Sequence, residues 1–145
     1  VLDAVGLEGW CKTSGSKGLQ LYVPLNTPGV THEATADFAL AVGQVMERQR
    51  PGRVTTVMAK AERRGKVFVD GCQNAHHKTT IAPYSLRARH DPTVSTPVTW
   101  SEVEECASSG DELRFEAGDV LARVGEYGDL FASVLTLEQQ LPTPG

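Results

Sequence analysis

A glycine-containing loop leads directly into a β-forming run near the start of the chain, and this order constrains the fold most. Residues 12–18 are KTSGSKG and residues 19–25 are LQLYVPL. Glycines let a backbone approach an anion closely, while serine and lysine side chains add hydrogen-bond donors and positive charge. A Walker loop is followed by a helix, so this order predicts a different oxyanion site. A flexible Gly/Ser turn is the alternative.

Composition and charge indicate one globular domain with a basic middle. The 145 residues are 40% hydrophobic, and residues 46–90 contain ten of the fourteen Lys and Arg but only three acids. This concentration of positive charge is typical of a polyanion-binding face, although a solvated charged surface is the alternative. No apolar run approaches the ~20 residues of a membrane span, and no signal-peptide pattern is present. We therefore expect a cytoplasmic protein without a membrane partner.

The cysteines and the first residue add two expectations. Cys11, Cys72 and Cys106 are widely spaced and form no CxxC pair, which predicts reduced, mostly buried thiols rather than disulfides or a zinc site. The chain begins at Val1 without methionine. We therefore expect that it is a piece of something longer.

Helices are predicted in three places. Apolar residues recur at helical spacing within residues 38–46, with Thr31 as a suitable N-cap and Pro51 as a stop. Residues 99–102 fit a capping box, so a second helix should follow them. Residues 119–135 have a weaker helical pattern, which two glycines interrupt.

Strands are predicted between and before these helices, which gives an α+β fold with a mixed or antiparallel sheet flanked by helices. Residues 19–25 form the first strand, whose pairing is expected to end near Pro24. Residues 54–58 and 66–70 are expected to pair as a hairpin. Residues 79–89 have strand character, but Pro83 favours an edge position or a bulge.

Asp70 is the best candidate for a metal ligand. It ends an alternating apolar run, which would hold its carboxylate rigidly at a sheet edge, and Gln73 and Asn74 follow as polar orienting groups. Two-metal phosphoryl or nucleotidyl transfer uses several clustered carboxylates, and only Asp70 has a convincing ligand context. An aspartate that begins the turn after a strand is the alternative.

Basic residues from different predicted elements would converge if the strands pair as expected. They are Arg63, Arg64, Lys78, Arg87 and Arg89. Guanidinium groups match phosphate oxygens in a bidentate geometry, so this cluster predicts a polyanion such as a triphosphate. We expect the amides after Ser14 and the carboxylate of Asp70 to face one pocket lined by these groups.

Taken in order, the motifs resemble the polymerase, or primase-like, domain of bacterial ATP-dependent DNA ligase D and its stand-alone relatives. The resemblance covers nearly the whole chain and rests on residues 12–19, 64–70, 73–74, 78–80, 82–87, 94–97 and 99–100. That family belongs to the archaeo-eukaryotic primase superfamily. The resemblance implies that residues 1–135 are the C-terminal portion of such a domain, a partial primase-polymerase core, and that residues 136–145 are a tail.

The resemblance also implies an activity and partners. The expected activity is nucleotidyl transfer to DNA ends during non-homologous end joining, from ribo- or deoxyribonucleoside triphosphates (NTP or dNTP) with Mn²⁺ or Mg²⁺. Expected partners are DNA ends, ligase and nuclease domains of a parent protein, and an end-binding protein.

Roles for individual residues follow from the same resemblance. Asp70 becomes the third metal-binding carboxylate and a catalytic residue. The candidates for holding the nucleotide are Ser14, Lys17, Gly18, Gln20, Arg63, Gln73 and Arg87. The residues assigned to DNA are Arg64, Lys78 and Arg89.

Two departures from the family pattern predict an incomplete or inactive fragment. The family's Asp-x-Asp pair lies upstream of the position equivalent to Val1, and Gln20 replaces the histidine that ends the family's loop motif. Glutamine cannot become cationic, so a weaker hold on a triphosphate is expected. A non-catalytic DNA-end or nucleotide-binding remnant is therefore one alternative. An enzyme that binds a small phosphate ester is another.

Overall fold

The computed structural model describes residues 1–142, which form an α+β fold as predicted. The strands are β1 (Trp10–Thr13), β2 (Leu19–Tyr22), β3 (Val54–Thr55), β4 (Val67–Phe68) and β5 (Pro97–Val98). The helices are α1 (His32–Gln49), α2 (Trp100–Ser109) and α3 (Ala117–Tyr127). Short 3₁₀ turns cover Asp3–Val5, Gly71–Asn74 and Ala132–Leu135.

The chain divides into two compact units, each built from segments that are distant in sequence. The first unit comprises Val1–Gly6, Thr27–Thr80 and the segment from Gln140 onward. The second unit comprises Leu7–Asn26 and Ile81–Gln139. The prediction of a tail over residues 136–145 stays a prediction. Within that range, the backbone N–H of Gln139 donates to Leu25 O at 2.8 Å in the second unit. Residues 143–145 of that predicted tail lie outside the described residues.

In the first unit, α1 begins and ends where the sequence predicts. The Thr31 hydroxyl accepts a hydrogen bond from Ala34 N at 3.1 Å, which caps the first turn. The helix ends at Gln49, just before Pro51, because proline cannot continue the backbone ladder.

The predicted hairpin between residues 54–58 and 66–70 is wrong, because β3 and β4 pair in parallel. Val54 lies opposite Val67, and Val67 N donates to Arg53 O at 2.8 Å. A hairpin needs a tight turn, whereas residues 56–66 make a longer connection that returns the chain to the start of β3. Two apolar runs separated by a link of this length fit either pairing, so their sequence pattern does not fix the direction.

Gly43 lets α1 approach the chain that follows β3 and β4. A Cβ atom at Gly43 would lie 2.8 Å from Thr56 Cγ2 and 3.1 Å from Val69 Cγ1. Thr56 is not free to turn away, since its hydroxyl donates to Glu47 Oε2 at 2.7 Å. The packing of the first unit therefore requires the absence of a side chain at this position.

Replacing Gly43 with alanine should destabilise the protein, although helix propensity alone favours alanine by about 1 kcal/mol. Overpacking typically costs about 1–3 kcal/mol, so we expect Gly43→Ala to lower the free energy of unfolding by up to about 2 kcal/mol. Gly125→Ala is the matched control, because this glycine is also helical and a Cβ there would meet nothing within 4 Å. Denaturant unfolding that finds both variants stabilised would contradict the packing account.

The second unit contains an antiparallel sheet in the order β2–β1–β5. Strand β1 pairs with β2 from Trp10 opposite Tyr22 to Thr13 opposite Leu19. The sequence pattern does not predict β1, because it places residues 12 and 13 in the glycine-containing loop. The predicted strand over residues 19–25 is correct at its start but ends at Tyr22.

The predicted strand over residues 79–89 is largely wrong. Its only ladder contact in the described structure is an isolated antiparallel bridge between Leu86 and Val94. Tyr84 has a φ of 64°, a left-handed conformation that interrupts an extended chain. The segment still follows residues 93–95 through backbone hydrogen bonds, including Tyr84 N to Ser95 O at 2.7 Å.

Helix α2 begins with the predicted capping box. Thr99 and Glu102 each accept a hydrogen bond from the other's backbone N–H. Glu102 also binds the guanidinium of Arg123 on α3 through both carboxylate oxygens. The prediction of a helix over residues 119–135 is correct in part, because α3 starts at Ala117 and stops before Gly128, which has a φ of 71°.

Two further expectations can be compared with the structure. Cys11 is buried, but Cys72 is exposed, and all three cysteines are free thiols. Among the described residues, no helix has the length and apolar character that crossing a membrane requires.

Candidate functional site

The glycine loop, defined as residues 14–18, connects β1 to β2 and is closed by Ser14. Ser14 N donates to Gly18 O at 2.8 Å, and the Ser14 hydroxyl accepts from the backbone N–H groups of Ser16 and Gly18 at 3.2 Å each. Ser14 therefore orders the loop and engages two of the amides that the sequence suggested for an anion.

The glycine loop packs against the chain around Arg87. Gly15 has a φ of 67°, and a Cβ atom there would lie 2.6 Å from Arg87 Cγ. Thr93 Oγ1 donates to Gly15 O, and Arg89 donates to the Ser16 hydroxyl. The structure thus brings two predicted site arginines to the loop, while the Lys17 side chain is exposed.

Replacing Gly15 with alanine should cost about 1–3 kcal/mol of stability, because the substitution combines left-handed strain with a steric overlap. We expect Gly15→Ala to have a lower free energy of unfolding than Gly18→Ala. A Cβ at Gly18 makes only an ordinary contact, 3.9 Å from Ser14 Oγ. Equal stabilities of the two variants in denaturant unfolding would contradict the described contact between Gly15 and Arg87.

Lys12 lies on β1, two residues before the glycine loop, and is fully buried. Its ammonium donates to Gln20 Oε1, to Ile81 O at 2.8 Å and to Ser95 Oγ at 2.7 Å. An ammonium has three donors and no acceptor, so these three partners satisfy it completely. All three acceptors are neutral.

Burial and the nearby positive charge of Arg87 both disfavour the ammonium form of Lys12. Burial has the larger effect, and together they lower the pKa of Lys12 from 10.5 to about 8. Lys12 is therefore still mainly protonated at neutral pH. The positive charges of Lys12 and Arg87 therefore repel each other within the second unit.

In the first unit, Asp70 follows β4 by two residues and caps the 3₁₀ turn Gly71–Asn74. Its Oδ1 accepts from Cys72 N at 3.1 Å, and its Oδ2 accepts from Gln73 Nε2 at 3.0 Å. Both the metal-ligand role and the turn-forming alternative are compatible with this exposed carboxylate. Gln73 orients Asp70, as the sequence suggested.

The other predicted site residues of the first unit are basic. The Arg63 guanidinium carbon lies 4.6 Å from the centroid of the Phe68 ring, a cation–π contact that fixes this side chain near β4. Arg64 and Lys78 are exposed. A pocket shared by Lys17 and Asp70 stays a prediction, as does the convergence of all five basic side chains.

Among residues 1–142, no group of three or more His, Cys, Asp and Glu side chains is placed to hold a metal ion.

The sequence did not indicate the buried polar residues that hydrogen-bond to the backbone of β1 and of the glycine loop. Ser95 and Thr93 are buried and bind the backbone oxygens of Thr13 and Gly15, respectively. The sequence pattern places Lys12 in the loop, whereas in the structure it is a buried residue of β1. The strand register would have revealed the pairing of Lys12 with Gln20, because a hairpin closed by residues 14–18 places these two residues directly opposite each other.

Comparison with known proteins connects this geometry to a family. The model of the LigD primase-polymerase domain matches residues 1–131. The chain belongs to the LigD primase-polymerase domain family. The earlier resemblance is thereby confirmed.

Relatives within the LigD family are similar over most of this chain. The multifunctional non-homologous end joining protein LigD of Mycolicibacterium smegmatis is 49% identical over 132 residues, which are 91% of this chain and 17% of that protein. The bifunctional LigD of Bacillus subtilis is 34% identical over 88% of this chain and 20% of its own length.

A solved LigD structure has the same fold. The polymerase domain from Mycobacterium tuberculosis ligase D in complex with DNA matches with a TM-score of 0.84 and 44% identity, over 92% of this chain and 45% of that chain. This chain therefore spans less than half of the solved polymerase domain and about a sixth of the mycobacterial LigD proteins.

Proposed function

We propose that this chain is part of a nucleotidyltransferase that adds nucleotides to DNA ends during non-homologous end joining. Membership of the LigD primase-polymerase family supports the reaction class. The arrangement of cations around the glycine loop is the observation in the chain itself that supports it best. The chain would contribute part of the nucleotide site, and the family's Asp-x-Asp pair would complete the chemistry.

The cations of the second unit favour a triphosphate at the glycine loop. Within the described residues, no carboxylate forms an ion pair with Lys12, Lys17, Arg87 or Arg89. Unneutralised cations that lie close together repel each other, and a phosphate group relieves that repulsion. Lys17 and Arg87 would neutralise phosphate oxygens, and Ser14 and Gly18 would hold the loop in shape around them.

Asp70 suits a role as one ligand of Mn²⁺ or Mg²⁺. Its carboxylate is exposed, and each oxygen accepts a single hydrogen bond, so each retains a lone pair for a cation that prefers oxygen ligands. Gln73 would keep the carboxylate oriented. The metal would supply Lewis-acid activation of the attacking hydroxyl and neutralise the leaving pyrophosphate.

Basic residues outside the loop would contact nucleic acid or the nucleotide. Arg64 and Lys78 are exposed cations on the basic middle of the chain, suited to phosphate contacts with DNA. Arg89, which donates to Ser16, would couple the loop to the DNA backbone. Arg63, fixed on Phe68, would contribute a further guanidinium to the nucleotide.

A non-catalytic DNA-end or nucleotide-binding module is the second candidate. Two observations favour it: Asp70 is a single carboxylate, and Gln20 replaces the family histidine. Such a module would bind the same ligands without extending a primer.

Removing the loop lysine should weaken nucleotide binding. We expect Lys17→Ala to raise the Kd for ATP with Mn²⁺ about tenfold, because a hydrogen bond to a charged group is worth about 1.5–3 kcal/mol. The measurement is calorimetric titration of the 145-residue chain. Arg48→Ala removes an exposed cation from the last turn of α1 and serves as the control. A Kd that responds equally to both substitutions would contradict the loop assignment.

Primer extension separates the two candidates. With Mn²⁺, and with a segment that carries the family's Asp-x-Asp pair joined upstream of this chain, extension should occur and Asp70→Ala should abolish it. Absence of extension, together with binding to DNA ends that Asp70→Ala leaves unchanged, would support the non-catalytic module instead.

A further inference from the structure

Lys12 and Gln20 form a cross-strand pair in the central hairpin of the second unit. They lie directly opposite each other on β1 and β2, so their side chains extend to the same face of the sheet. The Lys12 ammonium, which is fully buried, donates to the carboxamide oxygen of Gln20. Gln20 itself is half-buried.

The chemistry of Lys12 determines which end of the Gln20 carboxamide faces it. An ammonium can only donate hydrogen bonds, so the oxygen of the carboxamide must point toward Lys12 and the nitrogen must point away. The other two acceptors of Lys12 are also fixed. Ile81 O belongs to the backbone, and the Ser95 hydroxyl gives its own proton to Thr13 O at 2.7 Å.

Within residues 1–142, the outward end of Gln20 is a hydrogen-bond donor without a protein partner. Among the described residues, no acceptor is within hydrogen-bond distance of Gln20 Nε2, whereas Oε1 is held by Lys12. Gln20 is the second residue after the glycine loop, close in sequence to Lys17 and Gly18. A phosphate at the loop would therefore be an acceptor within reach of this side chain.

We propose that Lys12 is a positioning residue for the triphosphate site, which holds the Gln20 carboxamide so that its N–H group is presented to a phosphate oxygen. This inference rests on the proposed function of nucleotide binding. Lys12 itself does not touch the nucleotide, because its three donors are already used within the protein.

The same constraint changes the meaning of the glutamine at position 20. A histidine there would have to turn a ring nitrogen with a lone pair toward Lys12, since the ammonium only donates. The ring would then be neutral and would present its other N–H outward. Glutamine and histidine would thus each present one neutral N–H donor to the phosphate. The glutamine at position 20 would therefore not weaken nucleotide binding.

A double-mutant cycle tests whether Lys12 acts through Gln20. With ATP and Mn²⁺ as the probe, we expect Gln20→Leu to raise the Kd of the 145-residue chain about tenfold. The factor by which Lys12→Met raises the Kd should be at least fivefold smaller in the Gln20→Leu background than in the wild-type background. Additive costs would overturn the proposal. Gln49→Leu, at the end of α1, is the control for loss of an exposed glutamine.

Two measurements keep the proposal falsifiable if Lys12→Met does not fold. In NMR spectra of the wild-type chain, the Gln20 side-chain NH₂ group should be rigid, whereas that of Gln49 should be mobile. Equal mobility would overturn the proposal. In Gln20→His, the affinity for ATP should stay within about threefold of wild type, with a single neutral tautomer of His at position 20. A cationic ring would also overturn it.

Failure of the proposed function can be recognised separately. If the wild-type chain binds no ATP but the Gln20 NH₂ group is rigid, the proposal of nucleotide binding is wrong. The positioning role of Lys12 at a nucleotide site is then wrong as well. If ATP binds and the NH₂ group is mobile, nucleotide binding stands and the positioning role is wrong.

Discussion

The ammonium of Lys12 must be hydrogen-bonded by neutral groups, because the described residues offer it no carboxylate in the middle of the sheet. An unpaired donor there would cost a large part of the protein's stability. Its partners come from β2, from Ile81 and from Ser95, so this one side chain ties together segments that are distant in sequence. The glycine loop continues from the strand that carries Lys12 and packs beside Arg87.

Features that depend on nearby residues could be predicted from the sequence. The cap at Thr31, the stop before Pro51 and the capping box of Thr99 and Glu102 are local hydrogen-bonding patterns, and each is present. Asp70 and Gln73 are likewise three residues apart and form the expected pair. Strand direction and strand partners were harder. The parallel pairing of β3 with β4, and the bridge that replaces the strand over residues 79–89, depend on contacts between distant segments.

The candidate site shows the same division between local and distant information. The sequence identified the glycine loop and its basic partner Arg87 as candidate site residues. Their contact at Gly15, however, is a property of the fold. Lys12 was recognised as a cation but not as a buried one, because a lysine in a loop motif is normally expected in solvent. The register of the hairpin reverses that interpretation and gives Gln20 a partner. The replacement of the family's histidine by Gln20 can thereby be interpreted through its hydrogen bond with Lys12.

The central claim is that the glycine loop and the cations around it bind a triphosphate. Two-dimensional ¹H–¹⁵N NMR of the chain during titration with ATP and Mg²⁺ tests it most directly, because every backbone amide reports separately. We expect the largest chemical-shift changes to fall on residues 14–20 and 87–89. Changes centred on α2 and α3, with the loop amides unaffected at saturating ATP, would contradict it.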